Sequence, residues 1–303
     1  MTAFAVQGGG AHGAFAWGVL DKLLENGVFP DAICGVSSGA LIAAALAQGW
    51  GRGGCHGARR SMQDMWQRIG EAHLMSPVRN GPLERWLWGW DLSNSMAWTG
   101  FETAMRLWSP AQLNPMGHNP LRPILEGWLD RQALNNAAAP RLFVAATDVE
   151  TGRAAIFDNQ AITVDALLAS CCLPFVFPAV EINGRGYWDG GYAGNPPLAP
   201  LLALKPERLV LVRAQALHRS GVPTTQAEIL NRLNEIACQN VLDAELTAVP
   251  PHVLVESFAA DDALRDLPIS SKFNAEPDFL GQLFTAGRAT ASSVRARDDI
   301  AGA

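Results

Sequence analysis

One serine lies where a nucleophilic serine is expected, in a glycine-flanked turn between two apolar runs. Residues 35–39 read Gly-Val-Ser-Ser-Gly and separate the apolar runs at 32–34 and 40–47. Such a turn between a strand and a helix projects the middle serine outward, because the flanking glycines leave room for backbone that a side chain would block. The pattern predicts Ser37 as the nucleophile, with Gly35 and Gly39 forming the elbow. Five residues also match by chance, so the prediction depends on context.

A second glycine-rich stretch follows the first predicted strand. Its members are Gly8, Gly9, Gly10, Ala11, His12 and Gly13. The spacing matches the dinucleotide fingerprint, but that fingerprint also requires an acidic residue after the second strand, where this chain has the serine turn. The same geometry suits an oxyanion hole, because backbone N–H groups at a glycine loop and helix start point towards developing negative charge. We favour the oxyanion hole over a nucleotide-binding module or a simple tight turn.

A serine nucleophile needs a base, because its hydroxyl is hardly ionised at neutral pH. None of the six histidines has a recognisable catalytic context. His218 and His252 are expected to follow strands at their carboxyl ends, and they are the two placed late enough for a Ser-Asp-His order. Asp189 is the stronger candidate, since it leaves a predicted hairpin and is followed by Gly190 and Gly191, which do not obstruct a substrate. An Asp-Gly-Gly sequence alone is usually just a turn.

The composition narrows the class of protein. The chain has 303 residues, 49% hydrophobic and 17% charged, which is enough to bury a large core. A net charge of −6 argues against nucleic acid as a partner. Five cysteines without a paired C-x-x-C spacing suggest neither a disulfide framework nor a zinc site, and we expect no metal or cofactor.

The predicted location is the cytoplasm, with peripheral contact at a membrane as a further possibility. The cysteine pattern fits a reducing compartment, the N-terminus lacks a basic region, and no apolar segment approaches the length of a membrane span. A removed signal peptide would leave no trace in this sequence.

The elements that must position these residues read as an α/β protein. The opening fifty residues predict a β-α-β-α unit, which implies parallel strands covered by helices. Later strands are predicted at 142–147, 154–157, 209–212 and 253–255, with a hairpin across Asn183 and Gly184. Helices are predicted at 38–48, 164–170 and 225–246, and a final amphipathic helix at 278–297. Asp148, at the end of one strand, is expected to bind the turn before Gly152 rather than act as the base.

The segment 50–136 differs from the rest because it has few strand-like stretches and much tryptophan. Eight of the ten tryptophans lie between Trp50 and Trp128. Aromatic residues usually fill a core, which favours an ordinary helical subdomain. Tryptophan also suits a boundary between apolar chains and water, which favours a cap or lid that contacts lipid. Both interpretations can hold together.

Three blocks in this order resemble those of the patatin-like phospholipases: the glycine loop at 8–13, the serine elbow at 35–39 and the Asp-Gly-Gly at 189–191. The residues at 170–178 and the Asn195-x-Pro197 pattern also resemble the family. The resemblance covers most of the chain except the tryptophan-rich region, and three ordered blocks are far more specific than any one of them.

The resemblance implies a single domain over 1–303 with a three-layer α/β/α fold and a mainly parallel central sheet, in which 50–136 would be a helical cap. It implies hydrolysis of lipid acyl esters by a Ser-Asp dyad without histidine. Ser37 would be the nucleophile and Asp189 the base, and the amides of residues 8–10 would form the oxyanion hole. Where the family usually has arginine or lysine, this chain has His12, so neutral esters and phospholipids both remain candidate substrates. An acyltransferase of similar fold is the alternative enzyme.

Overall fold

A computed structural model describes residues 1–219 and 221–292 of the chain. The strands are β1 (Thr2–Val6), β2 (Ala32–Val36), β3 (Arg141–Asp148), β4 (Ala154–Asp158), β5 (Val180–Ile182), β6 (Arg185–Asp189), β7 (Arg208–Arg213) and β8 (Leu254–Ala259). The helices are α1 (Gly13–Glu25), α2 (Ser38–His73), α3 (Pro82–Trp88), α4 (Met96–Leu107), α5 (Pro110–Leu113), α6 (Leu121–Glu126), α7 (Arg131–Leu134), α8 (Val164–Ser170), α9 (Ala199–Leu202), α10 (Gln226–Thr247), α11 (Asp261–Leu264) and α12 (Pro277–Thr290). Three 3-10 turns cover Gly10–His12, Gly190–Tyr192 and Ile269–Phe273.

The strands form one mixed sheet in the order β5-β6-β3-β2-β1-β7-β8, with β4 also paired to β3. The five strands from β3 to β8 along this order run parallel, while β4, β5 and β6 pair antiparallel at one side. The carboxyl ends of β1, β2 and β7 therefore meet at one edge, where α/β proteins place their functional loops. The predicted α/β class with a mainly parallel sheet is confirmed.

Helices cover both faces of this sheet. Successive side chains of a strand point to opposite sides, so each strand contributes to the core on either face. Phe4 and Val6 of β1 belong to a core shared with α1, α2 and α12. Ala3 and Ala5 point the other way, into a core shared with Leu201 of α9 and with α10. The arrangement is the predicted three-layer α/β/α architecture.

The predicted hairpin is confirmed in detail. Strands β5 and β6 pair with Ile182 opposite Arg185, which leaves a two-residue turn. Its two residues, Asn183 and Gly184, both have positive φ, as the tight hairpin turn with matching twist requires. The hairpin fixes the register of β6 and so the place where Asp189 leaves the sheet.

The helix after the serine runs a few residues past the predicted end near residue 48. Non-helical backbone angles at Gly53 and Gly54 then divide α2 into two helical segments, of which the second ends at His73. The bend folds the second half back so closely that a Cβ on Gly49 or on Gly57 would collide with the other's backbone. These glycines permit close packing between the two helical segments of α2.

The regular structure of segment 50–136 consists of helices, namely the second half of α2 and α3 to α7. Its two ends belong to the main core, through Met62, Trp66 and Trp128. Its middle is different, because large apolar side chains there face solvent, including Met75, Trp86 and Met96 at 80% exposure or more.

Two further predictions concern helices. The described part of the final helix ends at Thr290, and residues 293–297 of the predicted helix lie outside the described residues. Among the residues that the structure describes, no helix has the length and apolarity that crossing a membrane would require.

Candidate active site

Ser37 occupies the sharp turn that the sequence predicts between β2 and α2. Its backbone has φ of +53° and ψ of −131°, a combination that serine rarely adopts and that costs about 1 to 3 kcal/mol. The strain is imposed locally by the change from strand to helix over a single residue. Such a turn presents the side chain at the carboxyl edge of the sheet, at the start of α2.

The glycines of the elbow and of the first loop allow three segments of backbone to meet at this turn. A Cβ on Gly8 would lie 2.6 Å from the Cβ of Ser37, and a Cβ on Gly39 would lie 2.5 Å from the carbonyl oxygen of Val6. A Cβ on Gly35 would collide with the backbone of Gly39. Each position therefore needs glycine for close approach and not for flexibility.

The buried side chain of Ser170 supports the strained turn through two hydrogen bonds. The N–H of Ser37 donates to Oγ of Ser170 over 2.9 Å, and that hydroxyl donates to the carbonyl of Ala145 over 2.7 Å. The next residue, Cys171, has its thiol beside the Ser37 hydroxyl, and burial raises the pKa of that thiol well above its usual value. The thiol is therefore protonated and does not compete as a nucleophile.

Asp189 reaches Ser37 because the Asp-Gly-Gly turn folds across β3. Asp189 pairs with Ala146 of β3, and Val36 pairs with the adjacent Ala145. Gly190 lies so close to the Ala145 carbonyl that a Cβ there would collide with it. The Ser37 hydroxyl is near enough to the Asp189 carboxylate to favour its charged form. The structure thus brings together the predicted nucleophile and the predicted base.

The carboxylate of Asp189 is held in a buried position with few donors. Its Oδ1 accepts the N–H of Gly191 over 2.8 Å, and only 5% of the residue is exposed. Burial raises the pKa of Asp189 to about 6, against the opposing effects of Gly191 and Ser37. A pKa near 6 leaves the group ionised at neutral pH yet more basic than an ordinary aspartate, which suits a general base.

Not all of the backbone N–H groups that the sequence suggested for the oxyanion hole are available in the glycine loop. The N–H of Gly8 donates to Oδ1 of Asn195 over 2.8 Å, and the N–H of Gly9 donates to Oγ of Ser38 over 3.1 Å. Among the described residues, the N–H groups of Gly10 and Ala11 have no acceptor. Internal bonds thus occupy the amides of Gly8 and Gly9 and leave those of Gly10 and Ala11 available as donors.

His12 lies inside the protein and is neutral. Its Nε2 lies 2.8 Å from Oγ of Ser271, whose proton is already donated to the carbonyl of Pro268, so the histidine is the donor. Burial, with the nearby charges of Lys272 and Arg219, holds the pKa of His12 well below its usual value. The position therefore carries no charge of its own.

The other candidate bases have different surroundings. His218 is 88% exposed and faces Asp261, and His252 lies ahead of β8 and not after a strand, which corrects the sequence-based placement. Within the described residues, no hydrogen bond joins a histidine to Ser37. Asp148 accepts from the backbone of Thr151 and pairs with Arg185, the structural role expected for it.

Three supporting side chains were not predicted as site residues: Ser38, Ser170 and Asn195. Ser38 is the unassigned serine of the elbow motif, and the other two belong to stretches noted only for their resemblance to the family. Their signal in the sequence is polarity inside otherwise buried segments. Among the described residues, no group of three or more potential ligands could hold a metal ion.

Comparison with known proteins gives a family match over the part of the chain that contains the glycine loop, the serine elbow and the Asp-Gly-Gly turn. Residues 4–202 match the family model described as Patatin-like phospholipase, which covers Ser37 and Asp189. A patatin-like phospholipase domain-containing protein of Aspergillus oryzae is 32% identical over 91 residues. That alignment covers 29% of this chain and 11% of the fungal protein, so this chain matches a small part of that relative.

Two solved structures also align with the chain. The crystal structure of VipD from Legionella pneumophila aligns over 94% of this chain and 67% of its own, at 14% identity and a TM-score of 0.40. The structure of human GIVD cytosolic phospholipase A2 in complex with methyl gamma-linolenyl fluorophosphonate aligns over 96% and 59%, at 12% identity and a TM-score of 0.39.

Proposed function

The chain belongs to the patatin-like phospholipase family, and from that premise we propose that it is a serine acyl hydrolase that cleaves carboxylic esters of lipids. Ser37 is the nucleophile and Asp189 the base. The observation that carries the proposal is the strained Ser37 turn beside a buried carboxylate whose pKa is raised to about 6. A partly exposed hydroxyl on a strained turn beside a base is the arrangement that nucleophilic catalysis needs.

In the first half of the reaction, Oγ of Ser37 attacks the ester carbonyl carbon and its proton passes to Asp189. The electron pair of the carbonyl moves onto the oxygen, and the N–H groups of Gly10 and Ala11 stabilise the charge. When the tetrahedral intermediate collapses, the alcohol leaves with the proton from Asp189. An acyl group then remains on Ser37.

In the second half, a water molecule attacks the acyl group and gives its proton to Asp189. The fatty acid leaves and the proton returns to Ser37, which restores the starting state. Both halves use one base and one set of amide donors. The supporting bonds of Ser170 and Asn195 keep Ser37 and the loop in place while charge appears and disappears.

A lipid substrate is supported by the apolar surface of the segment 74–116, in addition to the family. Trp86 and Leu87 of α3 and Met96 of α4 are exposed, although such side chains usually avoid water. Tryptophan is suited to the boundary between acyl chains and water. We propose that this segment is the part of the protein that contacts aggregated lipid, as a cap beside the site.

The test is hydrolysis of a series of p-nitrophenyl esters of increasing chain length, alongside a phospholipid and a neutral glyceride. We expect turnover by the protein and a loss of roughly 10^4-fold or more in Ser37→Ala. A long-chain fluorophosphonate should also label the protein at Ser37, as located by peptide mass. The phospholipid and glyceride rates decide between the two substrate classes.

Ser38→Ala is a useful neighbouring control, because it removes a hydroxyl one residue away but leaves Oγ of Ser37 in place. It should keep the fluorophosphonate label and reduce turnover only modestly, through the lost bond to Gly9. Turnover or labelling at full rate in folded Ser37→Ala would overturn the proposal.

A further inference from the structure

A largely buried cluster of charges lies against the glycine loop, and none of the proposed chemistry uses it. At its centre is Glu235 of α10, whose side chain is 1% exposed. Arg219 binds it with two parallel bonds of 3.0 and 2.7 Å, and Lys272 lies 3.4 Å from it. Arg232 lies 3.5 Å away, and Asn231 donates to the same carboxylate.

The cluster is not neutral. It contains three cationic groups and one carboxylate, an excess of two positive charges. Burial works to raise the pKa of Glu235, but Arg219 and Lys272 outweigh it and lower the pKa to about 2, so the carboxylate stays charged. Charges that are largely withdrawn from water and not balanced are costly, which makes a purely structural purpose a weak explanation for the excess.

Among the residues of the cluster, Lys272 is the one whose backbone packs against the glycine loop. It belongs to the 3-10 turn Ile269–Phe273, and its backbone carbonyl lies where a Cβ on Gly10 would be. The preceding residue, Ser271, accepts a hydrogen bond from His12 of the same loop. The lysine is therefore positioned by the same contacts that position the free N–H groups of Gly10 and Ala11.

The Lys272 ammonium is buried and committed to the protein, so it does not act as a ligand for substrate. Its Nζ donates to Oδ1 of Asn231 over 2.9 Å, and the side chain is 13% exposed. Its charge nevertheless reaches the site, because it acts on His12 and on Cys238, whose thiol donates to the carbonyl of Gly191. A fixed charge in a buried region acts over longer distances than one in water.

We infer that Lys272 is a positioning residue for the oxyanion loop, whose fixed positive charge stabilises the negative oxygen bound by Gly10 and Ala11. This inference rests on the proposed function. It also accounts for the uncharged His12, since the positive charge beside the loop comes from a residue far along the chain. Lys272 acts through the loop and through its field, and it touches no substrate atom.

The test compares two ketone inhibitors of the same chain length. A trifluoromethyl ketone accepts Oγ of Ser37 at its carbonyl carbon, the carbonyl electron pair becomes an oxyanion, and the serine proton passes to Asp189. The matching methyl ketone binds mainly without forming that adduct. A stabilised oxyanion therefore affects the affinity of the first inhibitor only.

In Lys272→Met we expect the inhibition constant for the trifluoromethyl ketone to rise about tenfold and kcat to fall by a similar factor. The effect is smaller than the loss of a direct donor because the charge acts through space. KM and the methyl ketone constant should stay within about twofold. Lys272→Arg should restore most of the lost affinity, and Lys22→Met, which removes another lysine paired with a glutamate, should change nothing.

Lys272→Met is expected to fold, because Arg219 and Asn231 still hold Glu235. Arg232→Gln is the second variant, since it removes a cation that lies at 26% exposure, and it should produce the same selective loss at two- to threefold. Equal weakening of both inhibitors, or no change in either variant, overturns the inference. A native protein that forms no Ser37-dependent adduct would instead overturn the proposed function.

Discussion

The backbone N–H of Ser37 and the hydroxyl of Ser170 are 2.9 Å apart, and they link the strained turn to the centre of the sheet. The Ser170 hydroxyl in turn donates a hydrogen bond to the carbonyl of Ala145 on β3. The serine of α8 thus bridges the turn after β2 and the interior of β3. This bridge explains why the turn can hold an unfavourable backbone conformation without relaxing.

Ser170→Ala should therefore reduce catalysis more than its distance from the substrate suggests. We expect stability to fall by about 1 to 3 kcal/mol, because a buried donor and a buried acceptor both lose their partner. We also expect kcat to fall about tenfold with little change in KM, because Ser37 would no longer be held in its attacking position. Denaturant unfolding and steady-state kinetics on a soluble ester measure the two effects.

Ser61→Ala is the matched control for that prediction. Ser61 is buried in the second half of α2, away from the Ser37 turn, and accepts a hydrogen bond from the side chain of Gln48. It should lose comparable stability and keep its kcat. If both variants lose stability and neither loses kcat, Ser170 is a fold residue and has no part in positioning Ser37.

Gly8→Ala should disable the site by a steric route. The added Cβ would lie 2.6 Å from Cβ of Ser37 and 2.9 Å from the carbonyl oxygen of Val36, distances that force the backbone apart. We expect a loss of about 1 to 3 kcal/mol of stability and most of the activity. Gly281→Ala in α12 meets no atom within 4 Å, so it should keep full activity and gain about 0.5 to 1 kcal/mol. Full activity in Gly8→Ala would contradict the close packing described here.

The sequence predicted the elements around the site well because each has a local signal. The strand-turn-helix pattern predicted the position of Ser37, and the Asn183-Gly184 pair predicted the hairpin that ends at Asp189. These signals depend on neighbouring residues and on simple periodicity. The resemblance to a family then supplied the pairing of the two side chains, which no local signal contains.

The sequence failed where the deciding contact is distant along the chain. The bend in α2 is a different case: Gly53 and Gly54 are a local signal for a break, and the packing of Gly49 against Gly57 across it is seen only in the structure. Nothing near Gly8 indicates that Asn195, 187 residues later, occupies its N–H. The charge beside the loop comes from Lys272, which no motif singled out. Long-range partners of this kind require the folded chain.

The exposed apolar surface of α3 gives a prediction about lipid binding. In Trp86→Ser/Leu87→Ser we expect weaker sedimentation with phospholipid vesicles and a smaller rise in activity when a long-chain ester passes into micelles. Turnover of a soluble short-chain ester should not change, because neither residue belongs to the catalytic set. Vesicle sedimentation and rates on both sides of the micellar transition are the measurements.

Phe29→Ala is the control for that surface. Phe29 is also exposed, but it precedes β2 and so lies at the opposite edge of the sheet from Ser37. It should bind vesicles as the native protein does. Unchanged vesicle binding in the α3 variant would indicate that this surface has another use.

The base can be identified from the pH dependence of the rate. Because the pKa of Asp189 is raised to about 6, kcat/KM should fall as pH drops through 6, with the slope of a single proton. Asp189→Asn should lose nearly all activity, since the amide fills the same space and cannot accept the proton. His218→Ala and His252→Ala should keep both the rate and the pH profile. Loss of turnover in a folded histidine variant, with only slower turnover in Asp189→Asn, would replace the dyad with a triad.

Asp189→Asn should also make the protein more stable at high pH. This change in stability shows whether the charge of Asp189 destabilises the fold, as expected for a base, or stabilises it, as expected for a structural ion. The folded pKa of about 6 lies above the value of about 3.9 in an unfolded chain, so the folded state binds the proton more tightly. The contribution of Asp189 to stability is therefore fully present below pH 4 and is lost as pH rises through 6. The amide carries no charge, so at pH 8 the variant should gain up to roughly 2 to 3 kcal/mol. The gain should disappear near pH 4, where the native carboxyl is already protonated. Thermal unfolding of both proteins at pH 4 and pH 8 measures the difference. A variant that is less stable than the native protein at pH 8 but not at pH 4 would show that the Asp189 charge contributes to folding and is not imposed by function.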